Sequence, residues 1–227
     1  MPRNRRAVTR IVRMGAPRAA PVNPVWTLGR QTVKHSGSEL TFDLIMNTTP
    51  SRTLDLIFGR RSVRIYAPGE IGPEIVKSLL EAAMAAPSAM TKDPWRFVVV
   101  RDAAVLARLT AALPGGKMLS AASLAIVVAG DLDAAFERHL SYLLQDCSAA
   151  TENLLLAAHG LGLGGCWVGV HPGEESIRRV KEILELPASI MPVAVIALGL
   201  PGETLEPRTR YDAASVHQGK WGGRQSH

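Results

Sequence analysis

Little in this chain could do chemistry unaided. It has two cysteines, Cys147 and Cys166, 19 residues apart and in no CxxC pair. That excludes a disulfide scaffold and makes a poor metal site, so both read as small core residues. Its six histidines are scattered, with no HExxH and no paired spacing, and there is no G-x-S-x-G elbow. Hydrolase and metalloenzyme chemistry therefore lack support, and no metal is expected. No apolar run of the kind a secretory signal needs follows the early arginines. Acidic residues are missing altogether from Met1 to Pro24.

What is present suits a globular protein of one domain, or two small ones. Hydrophobic residues make up 47% and charged residues 20% of 227 positions, enough for a sizeable core. The formal net charge of +6 is unevenly placed. Residues 1–45 carry eight Lys/Arg and two acids, and the remaining 18 basic and 18 acidic residues cancel. A neutral body speaks against a nucleic-acid partner. Residues 1–45 read as a basic extension without sustained periodicity, expected to be poorly ordered. Three origins stay open for it: a targeting peptide, a basic arm for an anionic surface, or an upstream extension of a chain that starts at Met46. Residues 46–227 form the body.

Between Glu152 and Glu174 no Asp, Glu, Lys or Arg occurs, which meets the length of a membrane span. Gly160, Gly162, Gly164, Gly165 and Gly169 fall inside it, a density that suits a helix stopping and a strand beginning. The expectation is a soluble, cytoplasmic protein with no membrane partner.

Along the body, helical patterns cover Thr53–Gly59, a stretch from Pro73 ended by Pro87, Ala103–Leu113, about Ala134 to His159, and Glu174–Leu186. Apolar runs at Trp95–Val100, Leu124–Ala129, Gly165–Val170 and Val193–Leu198 read as strands. Alternation of helices and strands by itself predicts a doubly wound parallel sheet. The string Gly160-Leu-Gly162-Leu-Gly164-Gly165 matches G-x-G-x-x-G. A dinucleotide fingerprint needs a strand before the glycines and a helix after them, and here the order is reversed.

Three segments carry polar chemistry. Arg60-Arg61-Ser62-Val63-Arg64 follows a short helix. Guanidinium forks match phosphate oxygens, and an extended chain would set Arg60, Ser62 and Arg64 on one face. The alternative is a solvated basic turn. Arg208-Thr209-Arg210-Tyr211 offers a second arginine pair, or a charged tail. Pro87-Ser88-Ala89-Met90-Thr91-Lys92-Asp93-Pro94 is a loop whose small polar residues could let a flat ligand approach the backbone, or is only a loop.

In order and spacing, these segments resemble the nitroreductase family of FMN-dependent NAD(P)H oxidoreductases. So do Gln145-Asp-Cys-Ser-Ala-Ala-Thr-Glu-Asn, Leu-Gly-Leu-Gly-Gly-Cys-Trp-Val-Gly and Ala-Leu-Gly-Leu-Pro-Gly-Glu. The resemblance runs from about Leu54 to Trp221. It implies an α+β fold with a mostly antiparallel central sheet flanked by helices, in an obligate homodimer with FMN at the interface. This replaces the parallel sheet expected from alternation.

By that resemblance Arg60, Arg61 and Ser62 are FMN phosphate and ribityl contacts, and Arg208 and Arg210 complete the clamp. Arg64 is the cation near the flavin N1/O2 edge, where charge accumulates on hydride transfer. Pro87, Ser88, Ala89, Met90 and Thr91 line the ring from the partner subunit. Trp167, Val168 and Gly169 face the ring near N5 and O4. The implied reaction carries hydride from NAD(P)H through the flavin to a small acceptor, nitroaromatic or quinone-like, in a ping-pong cycle with no catalytic side chain. Reductive dehalogenation, corrinoid reduction and flavin fragmentation are further activities of the fold, and a binding protein using the basic arm is the alternative outside it. Two departures stand out: Thr91 and Asp93 replace the Asn and Gln of many relatives. Thr91 has one donor where an amide pairs donor with acceptor, and Asp93 brings a negative charge unless it turns to solvent.

Overall fold

The computed structural model describes residues 33–35, 38–40 and 52–223, and its contacts divide the chain into Met1–Met46 and Asn47–His227. In the first unit, β1 (Val33–His35) pairs antiparallel with β2 (Ser38–Leu40). The expectation for residues 1–45 otherwise falls outside the described residues.

The second unit opens with α1 (Arg52–Gly59), followed by the two-residue strand β3 (Tyr66–Ala67). Helix α2 (Pro73–Met84) starts with proline in its first turn, where the missing N–H costs nothing, and buries Val76, Leu79 and Ala83 on one stripe. Strand β4 (Trp95–Val100) leads to α3 (Ala103–Ala112), whose N-terminus is capped by Asp102 accepting from Val105 N–H at 2.9 Å. Strand β5 (Leu124–Asp131) is buried over all but its last residue.

The long helix predicted from about Ala134 begins later, as α4 (Leu140–Gly160). Glu137 and Arg138 hold φ of 53° and 51° in a short 3-10 turn, which breaks the α path. His139 then caps the helix, its Nδ1 accepting from Ser141 N–H at 3.2 Å. Strand β6 (Gly164–Gly169), helix α5 (Glu174–Leu184) and strand β7 (Ile190–Pro201) complete the unit.

β7 is the spine of the sheet. Along one edge it pairs with β5, which pairs with β4; along the other it pairs with β6 and then β3. Every one of these pairings is antiparallel, so the parallel sheet expected from alternation is wrong. The reason lies in burial. Alternate residues of a strand face opposite sides of a sheet. Leu124, Ile126 and Val128 of β5 pack under α2 and α4, while Ala125 and Val127 pack under α3 and α5. Helices on both faces make the strands continuously apolar, a pattern usually associated with parallel sheets.

The two cysteines lie in these layers as free thiols, Cys147 in one and Cys166 in the other. Burial, with a smaller contribution from Asp146, pushes the Cys147 thiol up to about 12. Among the described residues, no helix is long and apolar enough to cross a membrane.

Candidate functional site: an arginine-lined cavity

α1 ends in a turn closed by Arg60 N–H on the Leu56 carbonyl at 3.1 Å. The next residues run alongside β6: Ser62 bridges to Gly165 in parallel sense, and Val63 N–H donates to the Gly165 carbonyl at 3.1 Å. So close an approach requires glycine at 164, where an added Cβ would lie 2.7 Å from Val63 Cγ1. Tyr66 fastens the far end, its hydroxyl donating to the Val63 carbonyl at 2.9 Å and positioned 3.2 Å from that of Ala197. Burial pushes this phenol well above its usual range.

The segment after β7 folds back onto the same place. Arg208 N–H donates to the Phe58 carbonyl at 3.0 Å, and Gly202 N–H to that of Ile65 at 2.8 Å. Arg61 Nη1 donates to the Glu206 carbonyl. Glu203 Oε1 accepts the N–H groups of Arg64 and Ile65 at 2.6 and 3.1 Å. These two bonds, Arg64 first, hold its carboxyl below the usual range. The chain after β7 thus meets the end of α1 around a cavity of about 260 Å³ lined by Arg60, Arg61, His159, Gly162, Glu203 and Thr204 among others, while Ser62, Arg64, Arg208 and Arg210 stand outside its lining.

Two guanidinium groups, Arg60 and Arg61, and one carboxylate, Glu203, line the cavity. Arg60 Nε pairs with Glu152 at 3.1 Å, and Arg64 Nη1 donates to the Ser62 carbonyl at 3.1 Å. Among the described residues, Arg61, Arg64, Arg208 and Arg210 form no ion pair. His159 is half-buried in the last turn of α4, and burial followed by the neighbouring Arg60 charge holds its imidazole below the ordinary range. Such a cavity can hold a phosphate-sized anion. Among the described residues, no His/Cys/Asp/Glu group could hold a metal. Arg210 is exposed.

Trp167, Val168 and Gly169 continue β6 beyond the bridge to Ser62. Trp167 is 36% exposed, Val168 is buried, and an added Cβ at Gly169 would meet nothing within 4 Å. The glycine there leaves a stretch of strand backbone open on one side.

The Pro87–Thr91 loop lies elsewhere on the chain. Ala89 N–H donates to Oδ1 of the buried Asp146 on α4 at 2.9 Å. Asp146 and His159 are 13 residues apart on that helix, a rise of about 20 Å. Within one chain the loop and the arginine cavity are therefore not brought together. The loop is strained: Met90, Thr91 and Asp93 have φ of 50°, 53° and 48°. Asp93 closes it, its Oδ1 accepting the Ser88 hydroxyl at 2.5 Å while Ser88 Oγ accepts Asp93 N–H at 3.0 Å. The Asp93 charge is therefore engaged within the loop. The Thr91 hydroxyl likewise donates locally, to the Met90 carbonyl at 2.7 Å.

His159, Glu203, Glu152 and Asp146 belong to this architecture and had no assigned role in the sequence reading. Glu203 and Asp146 stand inside strings that carried the resemblance, but their partners come from distant chain.

Comparison with known proteins gives a consistent result. The family described as "Nitroreductase family" matches residues 57–115 and 111–200. A protein of Archaeoglobus fulgidus named "Putative NADH dehydrogenase/NAD(P)H nitroreductase" is 42% identical over 171 residues, covering 74% of this chain and 98% of its own. A crystal structure of a protein of the same name from Bacteroides thetaiotaomicron superposes with a TM-score of 0.72 at 40% identity, covering 76% of this chain and all of that one. A protein of Desulfovibrio desulfuricans described as "a putative nitroreductase in complex with fmn" superposes with a TM-score of 0.64 at 33% identity, covering 72% of this chain and 94% of that one.

Proposed function

This chain belongs to the nitroreductase family and is an FMN-dependent NAD(P)H oxidoreductase, and we propose that it reduces a small electron acceptor, nitroaromatic or quinone-like. The observation that carries the reading is the meeting of Arg60 and Arg61 with the 203–208 segment around one cavity. Its one lining carboxylate, Glu203, is already occupied by two backbone N–H groups. That arrangement fits a phosphate.

Arg60, Arg61 and the Ser62 hydroxyl hold the phosphate, with Arg208 and Arg210 closing over it from the C-terminal segment. The Arg60–Glu152 pair uses Nε and leaves both Nη groups of that guanidinium free to point at oxygen. Arg64 would offer positive charge to the ring. The open backbone of Trp167–Gly169 would offer the ring a face to rest on. When bound, FMN would supply the redox chemistry between NAD(P)H and a second substrate. The chain positions these components and sets their electrostatics, and no side chain is assigned as an acid or base.

The second wall of the ring comes from a partner subunit. The separation of about 20 Å between the Pro87–Thr91 loop and the cavity along α4 supports this. So do Leu54, Ile57 and Met84, which are exposed at 47%, 48% and 51% on α1 and α2.

The deciding experiment is a visible absorption spectrum of the purified protein, with the chromophore identified after denaturation. FMN near one per subunit is expected. A colourless protein that also rejects added FMN overturns the reading. Parallel initial-velocity lines for NAD(P)H and a nitroaromatic are expected from the alternating cycle. Reduction by dithionite but by neither nicotinamide would remove NAD(P)H as the donor.

A further inference from the structure

We propose that His159 is an additional ligand of the phosphate in this cavity and that it takes up a proton when the phosphate binds. The inference rests on the FMN reading and adds a residue that lies outside every motif used to reach it.

Geometry places the imidazole at the site. α1 and the end of α4 pack closely: an added Cβ at Gly160 would lie 3.1 Å from Leu56 Cδ2. One at Gly59 would lie 2.7 Å from His159 Nε2 and 3.5 Å from Cε1. The ring edge therefore rests on the last residue of α1, next to Arg60, and lines the cavity with Arg60 and Arg61. Gly59 is small because the ring occupies the space a side chain would need.

The charged and titratable groups around the ring come from four elements. Arg60 and Arg61 follow α1, Glu203 follows β7, and Glu152 on α4 reaches the site through Arg60 Nε. Cys166 on β6 is a buried neutral thiol, pushed up chiefly by burial. Burial, followed by the Arg60 charge, disfavours the protonated form of His159. A phosphate reverses the sign of the local field, because two negative charges then sit among the groups that repelled the proton. A protonated imidazole also brings a charge-assisted N–H to a phosphate oxygen. Binding should therefore carry a proton in with it.

The test is the FMN dissociation constant of the flavin-free protein between pH 6.5 and 8.5, read by quenching of flavin fluorescence. This window lies above the second ionisation of a phosphate monoester, near pH 6, so the ligand's own titration contributes little. The wild-type protein should bind FMN more weakly as pH rises, by roughly tenfold across the window and never more than tenfold per unit. Riboflavin, which has no phosphate, should show a flat profile on the same protein. His159→Gln should bind FMN with a flat profile, near the wild-type affinity at high pH. A flat wild-type FMN profile overturns the inference, as does a His159→Gln profile as steep as wild type, or an equal slope for riboflavin. The riboflavin comparison needs no variant and stands even if His159→Gln folds poorly. Absence of FMN binding at every pH overturns the FMN reading and this inference with it. FMN binding without the slope overturns this inference alone.

Discussion

Glu203 grips Arg64 by its backbone and leaves its charge free. The carboxylate Oε1 takes the Arg64 and Ile65 N–H groups, while the Arg64 guanidinium turns to the Ser62 carbonyl. A carboxylate lining a phosphate site repels the ligand, and this one is placed as an anchor of the 64–65 backbone. Glu203→Gln keeps an acceptor oxygen and removes the charge, so FMN affinity should hold or improve. Glu203→Ala releases the 64–65 backbone, and affinity should fall by roughly tenfold, the loss of about one net hydrogen bond. Fluorescence titration of the two variants side by side checks the order.

Arg60→Ala removes a charge-assisted contact and leaves Glu152 without its partner. A loss of about 1.5–3 kcal/mol is expected, on the order of 10–100-fold in FMN affinity. The variant should purify largely flavin-free, while Arg178→Ala, in the surface ion-pair cluster of α5, should keep its flavin. Full occupancy in Arg60→Ala would remove Arg60 from the clamp.

The flavin-free protein should lose stability in mild acid. Burial and Arg60 set the folded-state value of His159 below its unfolded value of about 6.5. The unfolded chain therefore binds the proton more readily. The stability contributed by the neutral ring is complete above that unfolded value. It is lost as pH falls through it towards the folded one. Thermal unfolding of wild type and His159→Gln, compared from pH 8 to pH 5, should show the shallower slope in the variant.

Asp146→Ala should destabilise the protein by about 1–3 kcal/mol, because Ala89 N–H loses its acceptor while the strained loop stays to be held. Asp146→Asn keeps an acceptor oxygen for that N–H and should cost less. Chemical denaturation of the two variants gives the ranking.

Two glycines should behave oppositely. A Cβ at Gly130 would lie 2.4–2.7 Å from Leu143 Cγ, Cδ1 and Cδ2, within a fully buried side chain. Gly130→Ala should cost roughly 1–3 kcal/mol by overpacking. Gly169→Ala meets nothing in its own chain, so its melting temperature without flavin should match wild type. Its flavin affinity should drop, because a methyl group would stand on the face assigned to the ring.

Much of this was legible in the residues, for physical reasons. Trp95–Val100 is bounded as the apolar run predicts, although only Trp95 and Val100 are buried, because β4 ends the strand order and pairs with β5 alone. The Arg60–Arg64 run fitted phosphate oxygens and a solvated basic turn equally by side-chain chemistry, and only its order among the other segments pointed to a cofactor. Strand direction was hidden, because in a sheet covered by helices on both faces β5 is apolar from Leu124 to Ala129 whichever way its neighbours run. The start of α4 was hidden because Glu137 and Arg138 occupy left-handed conformations that nothing in their side chains announces. His159, Glu203 and Asp146 were hidden because each acts on backbone or charge more than 50 residues away in sequence. Pattern in one dimension cannot pair such positions.

The place of β7 in the chain makes assembly a matter of timing. Tyr66 waits for Pro201, Gly165 for Leu198 and Leu124 again for Leu198 before their strands are joined. A chain emerging from the ribosome can pair β4 with β5, but β5 keeps one apolar edge open until residues 190–198 are made. Non-local pairings of this kind fold slowly and expose sticky edges meanwhile. The arginine cavity is flanked by Ser62 on one side of this spine and Glu203 just beyond its end. Cofactor binding is therefore the last capability the nascent chain acquires, and a product that stops short of β7 is an aggregation hazard with no flavin site to stabilise it.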